Sequence, residues 1–194
     1  MSRARLVFVM LVLSVAINVV LAHKLRQFSG LTGKPTEVLR SGAVVPPLEA
    51  VDLNGKARTI AYDQVSQPTV LYIFTPPCSW CTRNMNNLKT LLDKDSGQYR
   101  FIGLSLSDAG LMDYVTRNEL KLPVYSGLST ETLKSYKLMS TPQTIVVSPE
   151  GRVLQNWVGA YVGEQKSQVE AFFHVALPGV TAAPKPTNTS SGGS

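Results

Sequence analysis

The 194-residue chain has only two cysteines and two histidines. Both cysteines, Cys78 and Cys81, fall within one Cys-x-x-Cys motif, so none remains to build a stabilising disulfide framework. A zinc site built on this pair would need two more ligands. His23 and His174 stand far apart and without ligand spacing, so no metal is expected. The chain has no internal repeats. Its folded part also lacks an excess of charge. The formal net charge is +6, yet residues 1–40 carry Arg3, Arg5, Lys24, Arg26, Lys34 and Arg40 against Glu37 alone. From Ser41 to Pro178 twelve basic side chains meet twelve acidic ones. The basic surplus flanks an apolar N-terminus, a pattern of membrane topology, and no nucleic-acid partner is expected.

What is present centres on residues 68–92. Val70–Phe74 is an unbroken apolar, β-favouring run bounded by prolines and predicts a buried strand. Pro76-Pro77 breaks it. Met85, Leu88, Leu91 and Leu92 then recur at helical spacing, predicting one long helix from the cysteines to about Lys94. Cys78 falls at or just before that helix's N-terminus, where unpaired N–H groups favour a thiolate. Cys81, three residues on, is within reach of a disulfide with it. As a structural staple so short a loop would be weak, which favours a redox role.

Around this centre, residues 1–26 form a targeting or anchoring segment. Arg3 and Arg5 precede the apolar run Leu6–Ala22, which predicts an uncleaved transmembrane anchor with the domain exported. Val20-Leu21-Ala22 offers an alternative, a cleaved signal and a secreted domain. Residues 27–41 read as a linker. Leu48–Leu53 and Ala57–Tyr62 predict a hairpin around Asn54-Gly55. Tyr99–Ser105, Pro123–Tyr125, Ser140–Ser148 and Arg152–Gly159 read as strands or strand-bearing stretches. Ala109–Leu120, Thr130–Leu138 and Gly163–Leu177 read as helices. Residues 178–194, rich in Pro, Thr, Ser, Ala and Gly, are expected to be a disordered tail.

The strand into Cys78-Ser79-Trp80-Cys81, the later Ser140-Thr141-Pro142 before a hairpin, and the closing helix resemble the thioredoxin superfamily. The N-terminal anchor, the Asn54-Gly55 hairpin and the strand–helix insertion resemble its TlpA/ResA branch of exported, often membrane-tethered thiol-disulfide oxidoreductases. The resemblance covers residues 42–177. It implies an α/β, thioredoxin-like fold: a central mixed sheet flanked by helices, with an N-terminal β-hairpin. It implies Cys78 as exposed nucleophile and Cys81 as buried resolving thiol of a redox-active disulfide. Pro142 takes the place of the family's cis-proline, packed against the disulfide, and Thr141 offers its backbone to a substrate chain. Trp80, between the cysteines, is expected to face substrate. Protein disulfides or dithiols are the implied substrates of a monomer, with an exported or membrane-bound electron donor. No cofactor is required, because the cysteines carry the two electrons.

Three positions depart from the family pattern. Pro77 precedes the nucleophile where Trp is common. Tyr72 stands where thioredoxins bury an Asp, and Asn84 where the TlpA/ResA branch often has Glu. Tyr72 reads as core packing and Asn84 as a polar residue of the first helical turns. Two other readings remain open. One is a peptide-binding module without turnover. The other is a thiol peroxidase, whose Pro-x-x-x-Thr-x-x-Cys setting is matched here only by Thr75-Pro76-Pro77-Cys78.

Overall fold

The computed structural model describes residues 8, 10–20 and 38–181. The domain is built on a seven-stranded mixed sheet. Its strands are β1 (Leu48–Asp52), β2 (Ala57–Ile60), β3 (Thr69–Phe74), β4 (Arg100–Ser105), β5 (Val124–Ser126), β6 (Gln143–Val147) and β7 (Val153–Val158). They lie in the order β2-β1-β5-β4-β3-β6-β7. The inner pairs β3–β4 and β4–β5 are parallel, and the others are antiparallel.

β3 is buried along its whole length, and its side chains divide by parity. Leu71 and Ile73 enter a core with Leu48, Ile102, Leu104, Ile145, Tyr136 and Leu138. Val70 joins Leu91, Trp157, Val169 and Phe173, while Tyr72 and Phe74 join Cys81, Met85, Leu88 and Tyr114. This is the period-two alternation of a strand covered on both faces, which explains why β3 reads as a continuous apolar run. β3 therefore ends with its C-terminal residues already inside the cluster that holds one cysteine.

The helices of this domain are α1 (Ser79–Arg83), α2 (Met85–Asp95), α3 (Leu111–Arg117), α4 (Thr130–Ser135) and α5 (Gly163–Phe173). The single cysteine helix expected from the apolar spacing is thus two, divided at Asn84. α5 stops at His174, which takes a left-handed conformation (φ 54°), and Leu177 is buried beyond it. α3 is also shorter than expected and is followed by Glu119 at φ 49°. The hairpin turn is longer than Asn54-Gly55 alone. Asp52 N–H donates to Lys56 O, and Gly55 takes the positive φ (79°) that closes a three-residue loop. The Asp52 carboxylate accepts from the Asn54 and Lys56 N–H groups and from Arg58 Nε.

Leu39, within the expected linker, is buried in the core, and its carbonyl accepts from Asn156 Nδ2 at 2.8 Å. The N-terminal part forms a unit by itself. There residues 10–20 are helical, with every side chain exposed. Among the described residues no helix is long and apolar enough to cross a membrane. Part of the Leu6–Ala22 run lies outside the described residues.

Candidate active site

After β3 the chain turns through Thr75-Pro76-Pro77, and Cys78 N–H donates to Thr75 O at 3.1 Å. Cys78 sits at the N-cap of α1 in extended conformation, and its Sγ accepts the Cys81 N–H at 3.0 Å. Cys78 and Cys81 form a disulfide with Cα atoms 5.2 Å apart. The two sulfurs live in different surroundings: Cys78 is half-buried and Cys81 is fully buried. Cys78 is the N-cap, at the edge of the helix where the chain leaves the sheet, whereas Cys81 lies within the first turn and packs into the core under it.

Cys81 packs on an aromatic shelf. Tyr72 stacks on Phe74 at 6.1 Å between ring centroids, and Phe74 stacks on Tyr114 at 5.1 Å. Tyr72 Oη donates weakly to the Cys81 carbonyl at 3.5 Å. Burial pushes the Tyr72 hydroxyl well above its ordinary pKa, with Tyr161 adding to the effect and Asn84 opposing it. Burial also raises the pKa of Tyr114. Tyr72 is therefore a neutral hydroxyl throughout the working pH range, and no base occupies its position.

Asn84 is fully buried at the break between α1 and α2. Its Oδ1 accepts from the Tyr161 main-chain N–H (3.0 Å) and from Asn87 Nδ2 (2.8 Å). Asn87, equally buried, accepts in turn from the Gly179 N–H at 2.8 Å. Among the described residues the amide of Asn84, Nδ2, makes no full hydrogen bond, though the Asn84 side chain acts on the Tyr72 hydroxyl. Asn84 is thus a structural junction between the cysteine helices and the loop after β7. The neutral Asn side chain stands where a carboxylate was the alternative.

That loop borders a cleft of about 290 Å³, lined by Trp80, Thr141, Pro142, Val158, Gly159, Ala160, Val162 and Gln165. The Thr141–Pro142 bond is cis. Gly159 N–H donates to Pro142 O at 2.7 Å, and Thr141 Oγ1 lies 3.3 Å from Thr75 Oγ1. Trp80 is 46% exposed, with the Arg83 guanidinium 4.0 Å from its ring centroid. A separate cleft of about 320 Å³, lined by Val51, Asp52, Leu53, Gly55, Asp108, Leu111, Met112, Ser126 and Gly127, contains no residue of the cysteine motif. Among the described residues no group of three or more His, Cys, Asp or Glu side chains could hold a metal ion.

The structure thus brings Trp80, Thr141 and Pro142 to one cleft beside the cysteine motif. His174 lies elsewhere, at the end of α5. Arg83, Asn87 and Tyr161 escape a reading of the sequence. Asn87 alone leaves a trace there, as a polar residue in register with the buried leucines of α2.

The model of the AhpC/TSA family matches residues 41–156, more than half of the chain. Thiol-disulfide oxidoreductase ResA of Bacillus cereus is 25% identical over 188 residues, covering 92% of this chain and all of its own. Solved structures share the fold at low identity. The thioredoxin domain of a Bacteroides vulgatus thiol-disulfide oxidoreductase superposes with a TM-score of 0.56 at 22% identity, over 70% of this chain and 99% of its own. StoA of Bacillus subtilis gives 0.52 at 18% identity, over 65% and 97%. A disulfide pair that opens a helix after a buried strand agrees with these matches. This chain belongs to the AhpC/TSA family and is a thiol-disulfide oxidoreductase of the thioredoxin superfamily.

Proposed function

We propose that the protein is an exported, membrane-held disulfide reductase acting on polypeptide substrates. The observation that carries the reading is the unequal burial of the two sulfurs beside an apolar cleft. The Cys78 thiolate attacks one sulfur of a substrate disulfide, forming a mixed disulfide and releasing the other substrate sulfur as a thiolate. The Cys81 thiolate then attacks Cys78 Sγ. The Cys78–Cys81 disulfide forms, and the substrate leaves with both sulfurs reduced. An exported or membrane-bound dithiol donor returns two electrons to the pair. Trp80, Thr141 and Pro142 line the path of the substrate chain.

Membrane attachment is supported by the N-terminal unit. Its helical residues expose Phe8, Met10, Leu11, Leu13, Ile17, Val19 and Val20, an apolar surface with no charged residue between Leu6 and Ala22. Cleavage after Ala22 would instead release a secreted domain. The reducing direction is supported by the motif: Ser79-Trp80 brings no charge between the cysteines, and Pro76 and Pro77 bring no donor N–H. A potential nearer the roughly −270 mV of thioredoxin than the roughly −120 mV of strong oxidants is expected.

Trapping tests the reading. Cys81→Ser should accumulate polypeptides bound to Cys78 through reducible links. Cys78→Ser should trap none, and equal trapping by both variants would overturn the assignment. A potential above about −170 mV, from equilibration against glutathione, would overturn the direction. Peroxide consumption faster than disulfide reduction would favour the peroxidase reading instead.

A further inference from the structure

The chain does not end its packing at α5. Residues 178–181, inside the expected tail, run back along the cysteine helices. Gly179 N–H donates to buried Asn87 Oδ1 at 2.8 Å. Thr181 then pairs with Arg83 in both directions: its N–H donates to Arg83 O at 3.0 Å, and its own carbonyl accepts from Arg83 Nε at 2.7 Å. Arg83 closes α1, so its carbonyl belongs to the group that a helix end leaves without an internal donor. The strap supplies one. The same bonds fix the guanidinium, which otherwise has several rotamers to explore.

The fixed guanidinium lies over Trp80, three residues back on the same helical face. A planar cation against an indole face is the geometry in which such contacts are strongest. Trp80 is exposed and borders the cleft with Pro142, Val158 and Val162. A half-exposed ring without such a support would sample several orientations, and only some of them would leave the cleft open. The order of contacts is therefore strap, Arg83, Trp80, cleft.

We propose that Arg83, held by the strap at Thr181, is a positioning residue that fixes Trp80 at the rim of the cleft and so strengthens polypeptide substrate binding. The inference rests on the reading of that cleft as the substrate site. It assigns the residues after α5 a part in substrate affinity, with no part in the thiol chemistry itself.

The 194-residue chain in a Trp157→Phe background keeps Trp80 as its one tryptophan. Variants Arg83→Gln, Arg83→Lys and Gly179→Pro are compared in two assays with dithiothreitol as electron source. One follows reduction of insulin disulfides, and the other reduction of hydroxyethyl disulfide, too small to need the cleft. Gly179→Pro removes the N–H given to Asn87 and forbids the present φ of 91°. All three variants should raise KM for insulin roughly two- to fivefold, the range of an exposed cation–π contact, with kcat unchanged. The hydroxyethyl disulfide rate should stay at the wild-type value, which also shows that the variants fold. Acrylamide quenching of Trp80 in the reduced protein should rise in step with KM. Arg83→Lys keeps the charge but loses the planar fork, so a wild-type KM in that variant would overturn the stacking argument. Trp80→Ala separates the two levels. If it raises KM for insulin while Arg83→Gln and Gly179→Pro do not, the inference fails alone. If Trp80→Ala leaves KM unchanged, the cleft reading fails and the inference falls with it.

Discussion

The side chain of Asn84 is bonded to the main chain of Tyr161, 77 residues away, at 3.0 Å. Tyr161 is itself fully buried, and its hydroxyl pairs with Thr144 of β6 at 2.6 Å. One amide thus ties the cysteine helices to the loop and the strand that frame the candidate cleft. Removing it in Asn84→Ala leaves the Tyr161 N–H and Asn87 Nδ2 buried without an acceptor. The expected loss is about 2–6 kcal/mol of unfolding free energy, since each of the two stranded donors costs about 1–3 kcal/mol. Urea unfolding monitored by circular dichroism measures it. A loss under about 0.5 kcal/mol would mean that water reaches both donors.

A second buried pair has a definite direction. Tyr136 Oη donates to Pro46 O, so the hydrogen in its 2.6 Å bond with Tyr62 must come from Tyr62. Tyr62→Phe removes only the outer donor. Tyr136→Phe leaves the Pro46 carbonyl without a donor and the buried Tyr62 hydroxyl without an acceptor. The expected costs are about 0.5–1.5 kcal/mol for Tyr62→Phe and about 1–3 kcal/mol for Tyr136→Phe. Denaturant midpoints of the two variants give the ranking, and the reverse order would mean that the Tyr62 hydroxyl finds another partner.

These two networks also show where the sequence stops being informative. β3 was legible because its burial on both faces forces a continuous apolar run, and the redox pair because its two cysteines have no others to join. Trp80 and Pro142 were placed by local context and by resemblance. The break between α1 and α2 was not legible. Cys81, Met85 and Leu88 keep helical spacing across it, and the bonds that hold Asn84 and Asn87 come from residues 77 and 92 positions away. The same holds for Leu39 and for the strap at 178–181, whose polar and Pro-rich neighbourhoods hide long-range partners. The extra turn residue depends on the Asp52 carboxylate gathering two N–H groups, which an Asn-Gly pair does not announce.

Asp95 sets a pH dependence of stability. It lies at the end of α2, 3% exposed, and among the described residues its Oδ2 has no partner. Burial raises its pKa, with His174 nearby working in the opposite direction. A raised folded-state pKa means that the native state holds the proton more tightly than the unfolded chain. Its contribution is present below the unfolded carboxylate pKa and is lost as pH rises through the folded value. Asp95→Asn removes that loss. The variant should be more stable than wild type at pH 7–8, with the difference narrowing as pH falls toward 4. Thermal unfolding at several pH values checks it, and a constant difference would remove Asp95 as the cause.

The last prediction concerns the proton of Cys81. During turnover the mixed disulfide waits for the Cys81 thiol to become a thiolate. Its surroundings are Tyr72, Phe74, Met85, Leu88 and Tyr114, with Asn84 at the nearby helix break. None of these is a base: Tyr72 and Tyr114 are held neutral by burial, and the Asn84 amide does not titrate. A thiol ordinarily ionises near about 8.5, so with no base beside it the reactive thiolate is expected to be the minor form below that pH. Release of a trapped substrate by Cys81 should therefore speed up about tenfold per pH unit between pH 6 and 8, because the thiolate fraction does. Asn84→Asp, which keeps the acceptor oxygen and adds a carboxylate, should raise the rate at pH 6–7 and flatten the slope. Stopped-flow measurement of release from a Cys78-linked fluorescent peptide gives both profiles. A wild-type rate flat between pH 6 and 9 would mean that the departing substrate sulfur or solvent takes the proton in the same step. The missing carboxylate would then carry no kinetic cost.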